Sequence, residues 1–223
     1  PAPGDRVYDG NGGTVIPGLH DMHSHSTLSS GLWYLAAGVT NTRDMGNDNA
    51  FLLDLTARIE RGEIAGPRIV RNGFLEGRSP YSARNGFVVD TLDDALKDVA
   101  WYKDHGYWQI KLYNSMNPAW VAPIAERAHA LGMGVTGHIP AFTNADAMIA
   151  AGYDEITHIN QLMLGWVLSP EEDTRTPLRL TAMRRVAALD LDAPQVRHTL
   201  ALMRQRDIAL DTTEVIVERL MLS

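Results

Sequence analysis

The chain has 223 residues, 45% of them apolar and 21% charged, with a formal net charge of −7. That length suffices for a sizeable buried core in one large domain or two small ones, and the acidic balance argues against non-specific nucleic-acid binding. The lack of cysteine removes disulfides, thiolate ligands and thiol nucleophiles, so any metal must be held by imidazole, carboxylate or something less usual.

In chain order, short apolar runs alternate with longer helical patterns. The stretch "TVIPGLHDMHS" opens on a β-branched run and reads as a strand, and "GVTNTRDMG" (38–46) reads as a second strand followed by a turn. Phe51, Leu52, Leu55 and Ile59 fall at helical spacing within 50–61, with Gly62 as the stop; "RIVRNGFL" (68–75) is a third strand. Thr91 with Asp94 forms a capping-box pattern ahead of the apolar face of Leu92, Ala95, Leu96 and Val99, and Gly106 ends that helix. "QIKLY" (109–113) is then a strand. A helix from Asn117-Pro118 to Gly132 follows, with irregular first turns expected because of Pro123. "GVTGHI" (134–139) is a strand, Thr143 with Asp146 caps a helix stopped by Gly152, and "EITHI" (155–159) is a strand. After a less regular stretch, a helix around Gln195–Arg206 precedes "IALDTT" (208–213).

Seven strand candidates, most of them followed by helices, imply a parallel sheet. Its two standard forms are an open doubly wound sheet and a closed (β/α)8 barrel. A barrel needs eight strands and about 250 residues, so the chain stops roughly one βα unit short. No run of about 18 apolar residues is present to span a membrane. Because the chain opens on Pro1, a missing signal peptide leaves the compartment open between cytoplasm and bacterial periplasm.

Four of the eight histidines lie at or near the ends of apolar strand runs: His23, His25, His138 and His158. In a parallel barrel those ends open on one face, where active sites gather. Residues 23 and 25 point the same way on a strand, and imidazoles converging there suit a divalent metal. The other four have ordinary structural explanations. His105 sits at a helix C-terminus, where the dipole favours a cation. His129 and His198 lie within helices, and His20 is at odd spacing from His23, which turns it to the opposite face. Lys111 is the other outlier: it sits mid-strand between apolar residues, where burying an ammonium is costly without a partner. Snorkelling of its amine to water is the structural alternative to a neutral or modified amine in a metal site.

"VIPGLHDMHSH" resembles the opening strand signature of the amidohydrolase superfamily, and Lys111, His138 and His158 follow on successive strands in that superfamily's order. "GVTNTRDMG" is similar to the second strand of its Xaa-Pro dipeptidase-like and imidazolonepropionase-like subgroup. The resemblance implies a (β/α)8 TIM barrel, apparently truncated, with residues 16–223 as the incomplete barrel and 1–15 as a remnant of a flanking N-terminal β-sandwich. It also implies two divalent metal ions, Zn²⁺ being the leading choice: His23 and His25 on one, His138 and His158 on the other, and Lys111 bridging both as a catalytic N6-carboxylysine. Between the metals the family holds a hydroxide nucleophile. The family's eighth-strand aspartate, a metal ligand and proton shuttle, has its nearest candidate in Asp211 of "ALDTT".

The function so implied is metal-dependent hydrolysis of an amide-type C–N bond in a dipeptide, an N-acyl amino acid or a cyclic amide. The same centre also serves carbamate, lactone and phosphotriester hydrolysis, and a non-catalytic metal- or partner-binding barrel is the alternative from another class. Arg43, Tyr113 and Asn114, just past strand ends, are candidate substrate contacts. The partner expectations are a small-molecule substrate and a homo-oligomer, without nucleic acid or membrane. The loop "EGRSPYSARNGF" (76–87) is where substrate choice would be made.

Overall fold

The structure is a computed structural model that describes residues 2–222. Six strands form one parallel sheet: β1 (Leu19–Ser24), β2 (Val39–Asp44), β3 (Arg68–Gly77), β5 (Gln109–Leu112) and β6 (Gly134–Gly137) in that order, with β4 (Phe87–Val89) paired to the end of β3. A parallel pair, β7 (Glu155–Thr157) and β8 (Ala209–Asp211), continues the path beyond β6. The junction is held by a bond from the Asp154 N–H to the Val135 carbonyl (2.9 Å) and by the Thr136 and Thr157 hydroxyls, 2.9 Å apart. The sheet curls until its two ends approach, and the His23 ring of β1 reaches the Asp211 carboxylate of β8 at 2.6 Å. The result is a curled, open α/β half-barrel of parallel strands.

Helices follow the strands as the capping chemistry dictates. The first is α1 (Ser30–Ala36), and α2 (Asn49–Glu60) starts where the Asp48 carboxylate accepts from the Phe51 N–H. In α3 (Leu92–Asp104) Thr91 accepts from the Asp94 N–H, as the capping box requires. In α4 (Pro118–Ala130) Asn117 accepts from the Ala119 N–H, and Gly132 follows the helix at φ 70°, the left-handed position that closes it. Then come α5 (Ala145–Ala150), three short helices α6 (Ile159–Leu164), α7 (Leu178–Thr181) and α8 (Met183–Val186), and the longer α9 (Pro194–Arg206) and α10 (Glu214–Leu222).

Strand alternation sorts side chains to the two faces of the sheet. Ile110, Leu112, Val135 and Ile156 join one apolar cluster with Val99 and Tyr102 of α3 and Val121, Ile124 and Ala128 of α4. The inner face is polar instead: Asn72, Gln109, Lys111, Thr136, Glu155 and Thr157 are all buried there. Barrel interiors are generally filled with branched apolar side chains, so this polar lining needs partners within the curl.

Several local expectations are corrected. The run Thr14–Ile16 is not in a strand; β1 begins only at Leu19, past Pro17, and Val15 is 94% exposed because nothing pairs beside it. The cap of α5 is Asn144, which accepts from the Ala147 N–H, and not Thr143. Pro123 lies inside a continuous α4, held by the buried face of Val121, Ile124, Ala125 and Ala128. The segment 76–87 is not all loop: β3 runs through Gly77, and Phe87 opens β4 against Leu75. Helix α1 was not foreseen. Residues 2–18 contain no strand. Among the described residues no helix is long and apolar enough to cross a membrane.

Candidate active site

The four strand-end histidines come together at the C-terminal rim of the sheet. Ring centroids run in a chain, His25 to His23 at 5.5 Å, His23 to His158 at 4.7 Å, and His158 to His138 at 4.7 Å. Each ring is held through Nδ1 by a group from the end of an adjoining strand. His25 Nδ1 donates to the Gly46 carbonyl beyond β2 (2.7 Å), and His23 Nδ1 to the Asp211 carboxylate of β8 (2.6 Å). His138 Nδ1 meets Asn114 Oδ1 beyond β5 (2.5 Å), and His158 Nδ1 meets the Thr213 hydroxyl beyond β8 (2.6 Å). A carbonyl or carboxylate partner fixes the proton on Nδ1 and leaves the Nε2 lone pair free. His138 Nε2 is buried and has no hydrogen-bond partner.

Electrostatics favour the neutral form of His23, His138 and His158. His138 is held well below the ordinary imidazole range by its complete burial and then by His158 and Lys111. Burial and Lys111 bring His158 down to about 3, and burial lowers His23 despite its bond to Asp211. Burial alone would raise the Asp211 carboxyl, but the His23 hydrogen bond and the electrostatic pull of His23 and of the Arg43 cation bring it below its usual value.

Lys111 is 1% exposed, which removes the snorkelling alternative. Its Nζ makes no hydrogen bond or ion pair among the described residues and lies 5.9 Å from the Tyr113 ring centre. Burial pulls the amine down to about 7, against the pull of Asp211 and Asp44.

The backbone at the rim is built for these positions. Gly137, immediately before His138, has φ 146°, and a Cβ there would stand 2.1 Å from the Leu112 carbonyl, so only glycine lets β6 seat against β5. His158 and its partner Thr213 both have positive φ, 73° and 47°. Such values are outliers for side chains of this kind and occur where surrounding contacts over-determine the backbone. Buried Asp44 accepts from the Ser26 N–H (2.7 Å), the Gly46 N–H (3.0 Å) and the Asn47 amide (3.1 Å), tying the loop that carries His25 to the loop that carries its acceptor.

The three candidate substrate contacts fare differently. Arg43 is 3% exposed and engaged through every guanidinium nitrogen: to the Met22 carbonyl (2.7 Å), Gln109 (3.3 Å), both Glu155 oxygens (2.6 Å each) and Asp211 (3.2 Å). It cross-links the inside of the curl and has no donor left for a substrate, a correction to its expected role. Asn114 is buried against His138, so it positions that ring. Tyr113 is half-buried, its ring 4.0 Å from His138, and it lines a cleft of about 330 Å³ with His138, His158, Asn160, Arg179 and Thr213. The remaining histidines lie elsewhere. His105 donates to the Trp101 carbonyl at the end of α3, His129 pairs with Asp154, His198 approaches Asp146, and His20 lines a groove with Arg68 and Trp108.

Sequence reading missed Gly46 and Thr213 as anchors and Arg179 and Asn160 as cleft residues. Gly46 and Thr213 share the signal that found the histidines, a place just past a strand end. Arg179 has none, because the stretch around it lacks periodicity.

Among the described residues no three His, Asp or Glu side chains form a ready-made ligand cluster. The donor chemistry nonetheless fits divalent ions: four imidazoles with anchored Nδ1 and free Nε2, one Nε2 orphaned in the interior, and a buried amine beneath them.

No family model matches the chain, and no curated protein matches it. Solved structures do. Bottromycin amidohydrolase is similar at a TM-score of 0.61 and 23% identity over 77% of this chain and 38% of its own. Another amidohydrolase gives 0.59 and 18% over 95% of this chain and 68% of its own. A Xaa-Pro dipeptidase crystallised with methionine in its active site gives 0.52 and 20% over 66% and 48%. The chain thus spans between 38% and 68% of the length of these three proteins. The parallel half-barrel shares its fold with these solved structures.

Proposed function

We propose that this chain carries the metal centre of a hydrolase that cleaves an amide-type C–N bond in dipeptides, N-acyl amino acids or cyclic amides. The observation that carries the reading is the set of four neighbouring histidines, each anchored at Nδ1 by an adjoining strand end, around a buried Lys111. The names of the similar structures support the same bond type. His23 and His25 would hold one ion, His138 and His158 a second, with Lys111 between them as a carbamate. Divalent ions, when bound, acidify water and polarise a scissile carbonyl.

The chain's own residues supply the rest. A lysine amine near 7 is about half neutral at pH 7 and mostly neutral above it, and the neutral amine is the form that adds CO₂. Its lone pair forms the N–C bond, and one proton leaves as the carbamate anion appears. That anion provides the oxygen donors an ammonium lacks. Asp211, Gly46 and Asn114 keep His23, His25 and His138 in the Nδ1–H tautomer, and all four anchors, Thr213 included, fix the orientation of their rings, the usual work of groups standing behind metal ligands.

The test is a screen of dipeptides and N-acyl amino acids with the full chain and added Zn²⁺, alongside carbon-13 NMR after exchange with labelled bicarbonate. Cleavage together with a carbamate resonance lost in Lys111→Met is the expected result. A chain that retains no metal and shows no carbamate overturns the proposal.

A further inference from the structure

We propose that Arg179 is the carboxylate-binding residue of this cleft. It would select N-acyl or N-aminoacyl amino acids with a free α-carboxylate and an apolar side chain. The inference rests on the amide-hydrolase reading above and narrows its substrate class.

Among the described residues five arginines are at least partly buried: Arg43, Arg58, Arg71, Arg175 and Arg179. The first four have partners. Arg43 binds Glu155, Arg58 pairs with Asp54 and Glu63, Arg71 donates to Thr56 and the His105 carbonyl, and Arg175 pairs with Asp173. Arg179, on α7, makes no ion pair and no side-chain hydrogen bond among the described residues. It lines the same cleft as Tyr113, His138 and His158 and, among the described residues, is the only one lining it with a permanent charge.

A partly buried arginine with no protein partner keeps its guanidinium donors available. A carboxylate matches its planar fork with two parallel charge-assisted hydrogen bonds. Asn160 lines the cleft beside it and has no side-chain partner among the described residues, so its amide can add a donor. Leu180, Met183 and Ile216 line the same cleft, and Leu180 and Ile216 are 49% and 54% exposed, an uncovered apolar wall suited to an apolar side chain. In an N-acyl amino acid the scissile nitrogen and the carboxylate sit on the same α-carbon. The cleft holds both the histidines and the arginine.

The experiment is calorimetric titration of the full chain with N-acetyl-L-leucine and with N-acetyl-L-leucinamide, in wild type, Arg179→Met and Arg179→Lys. Wild type should bind the acid at least about tenfold more tightly than the amide. Arg179→Met should bring the acid down to the level of the amide without changing amide binding, and Arg179→Lys should fall between. Equal binding of the two compounds by wild type, or a preference that survives in Arg179→Met, overturns the assignment. Turnover of the acid, followed by chromatography with Zn²⁺ present, separates the two readings. A carboxylate preference without cleavage upholds Arg179 and removes the hydrolase, whereas cleavage without preference removes Arg179 alone.

Discussion

The inside of the curled sheet has two polar levels that look alike in composition and differ in how they are satisfied. On the floor, Arg43 spends every guanidinium nitrogen on Met22, Gln109, Glu155 and Asp211. At the rim, His23, His25, His138 and His158 use only Nδ1, and beneath them Lys111 has no partner among the described residues. A saturated buried network rigidifies a fold. A buried polar group left open needs another explanation, and a ligand is the usual one. The difference separates structural charge from functional charge without reference to residue type.

Lys111 gives the largest expected contrast. Its folded value of about 7 lies below the ordinary 10.5 of the unfolded chain. Between those two pH values the unfolded chain binds a proton that the folded chain lacks, so this residue's contribution to stability rises with pH from about 7 to 10.5 and is flat below 7. In metal-free, CO₂-free buffer the wild type should gain on Lys111→Met across that window by on the order of 4–5 kcal/mol at most. Denaturant unfolding of both proteins at stepped pH measures it, and parallel curves would show an amine that is not desolvated.

His138→Ala should come next, lowering hydrolysis of whatever amide the screen finds by about a thousandfold, roughly 4 kcal/mol, through loss of a metal ligand. Its folding stability should change far less, since the removed ring already leaves one nitrogen unsatisfied. Arg43→Met should do the reverse. It strips Glu155 and Asp211 of their cation and should cost about 3 kcal/mol in unfolding experiments, the low end for a broken buried pair because Asp211 is only partly buried. If Arg43→Met abolished hydrolysis while leaving stability intact, the division between floor and rim would collapse.

The rim was more legible in the sequence than the floor. Its histidines sit at strand ends, and period-two alternation together with the order of strands is local information. Lys111 stood out because a charge interrupts an apolar run. Arg43 looked equally accessible from its place in "NTRDMG", yet its fate depends on Glu155, 112 residues away, which no local pattern specifies. The β4 pairing was hidden because Phe87–Val89 is only three residues long and follows a polar turn. The run Thr14–Ile16 misled because β-branched residues favour strands only where a neighbouring strand can pair with them.

Asp211 tests the comparison where the two levels meet, because its carboxylate faces His23 of the rim and Arg43 of the floor. The bond to His23 is 2.6 Å and the bond to Arg43 is 3.2 Å, and Arg43 keeps both Glu155 oxygens without it. Asp211→Asn therefore leaves the floor largely paired and should alter stability by less than about 1 kcal/mol. At the rim it removes the charge that raises the basicity of His23 and fixes its tautomer. Metal affinity at the His23 and His25 end should fall by about 10- to 100-fold, roughly 1.4–2.7 kcal/mol. Competition with a chelator, set beside unfolding curves of the same variant, reads both quantities. A large stability loss with unchanged metal affinity would place Asp211 in the floor; the reverse would make it the carboxylate that orients the first histidine pair.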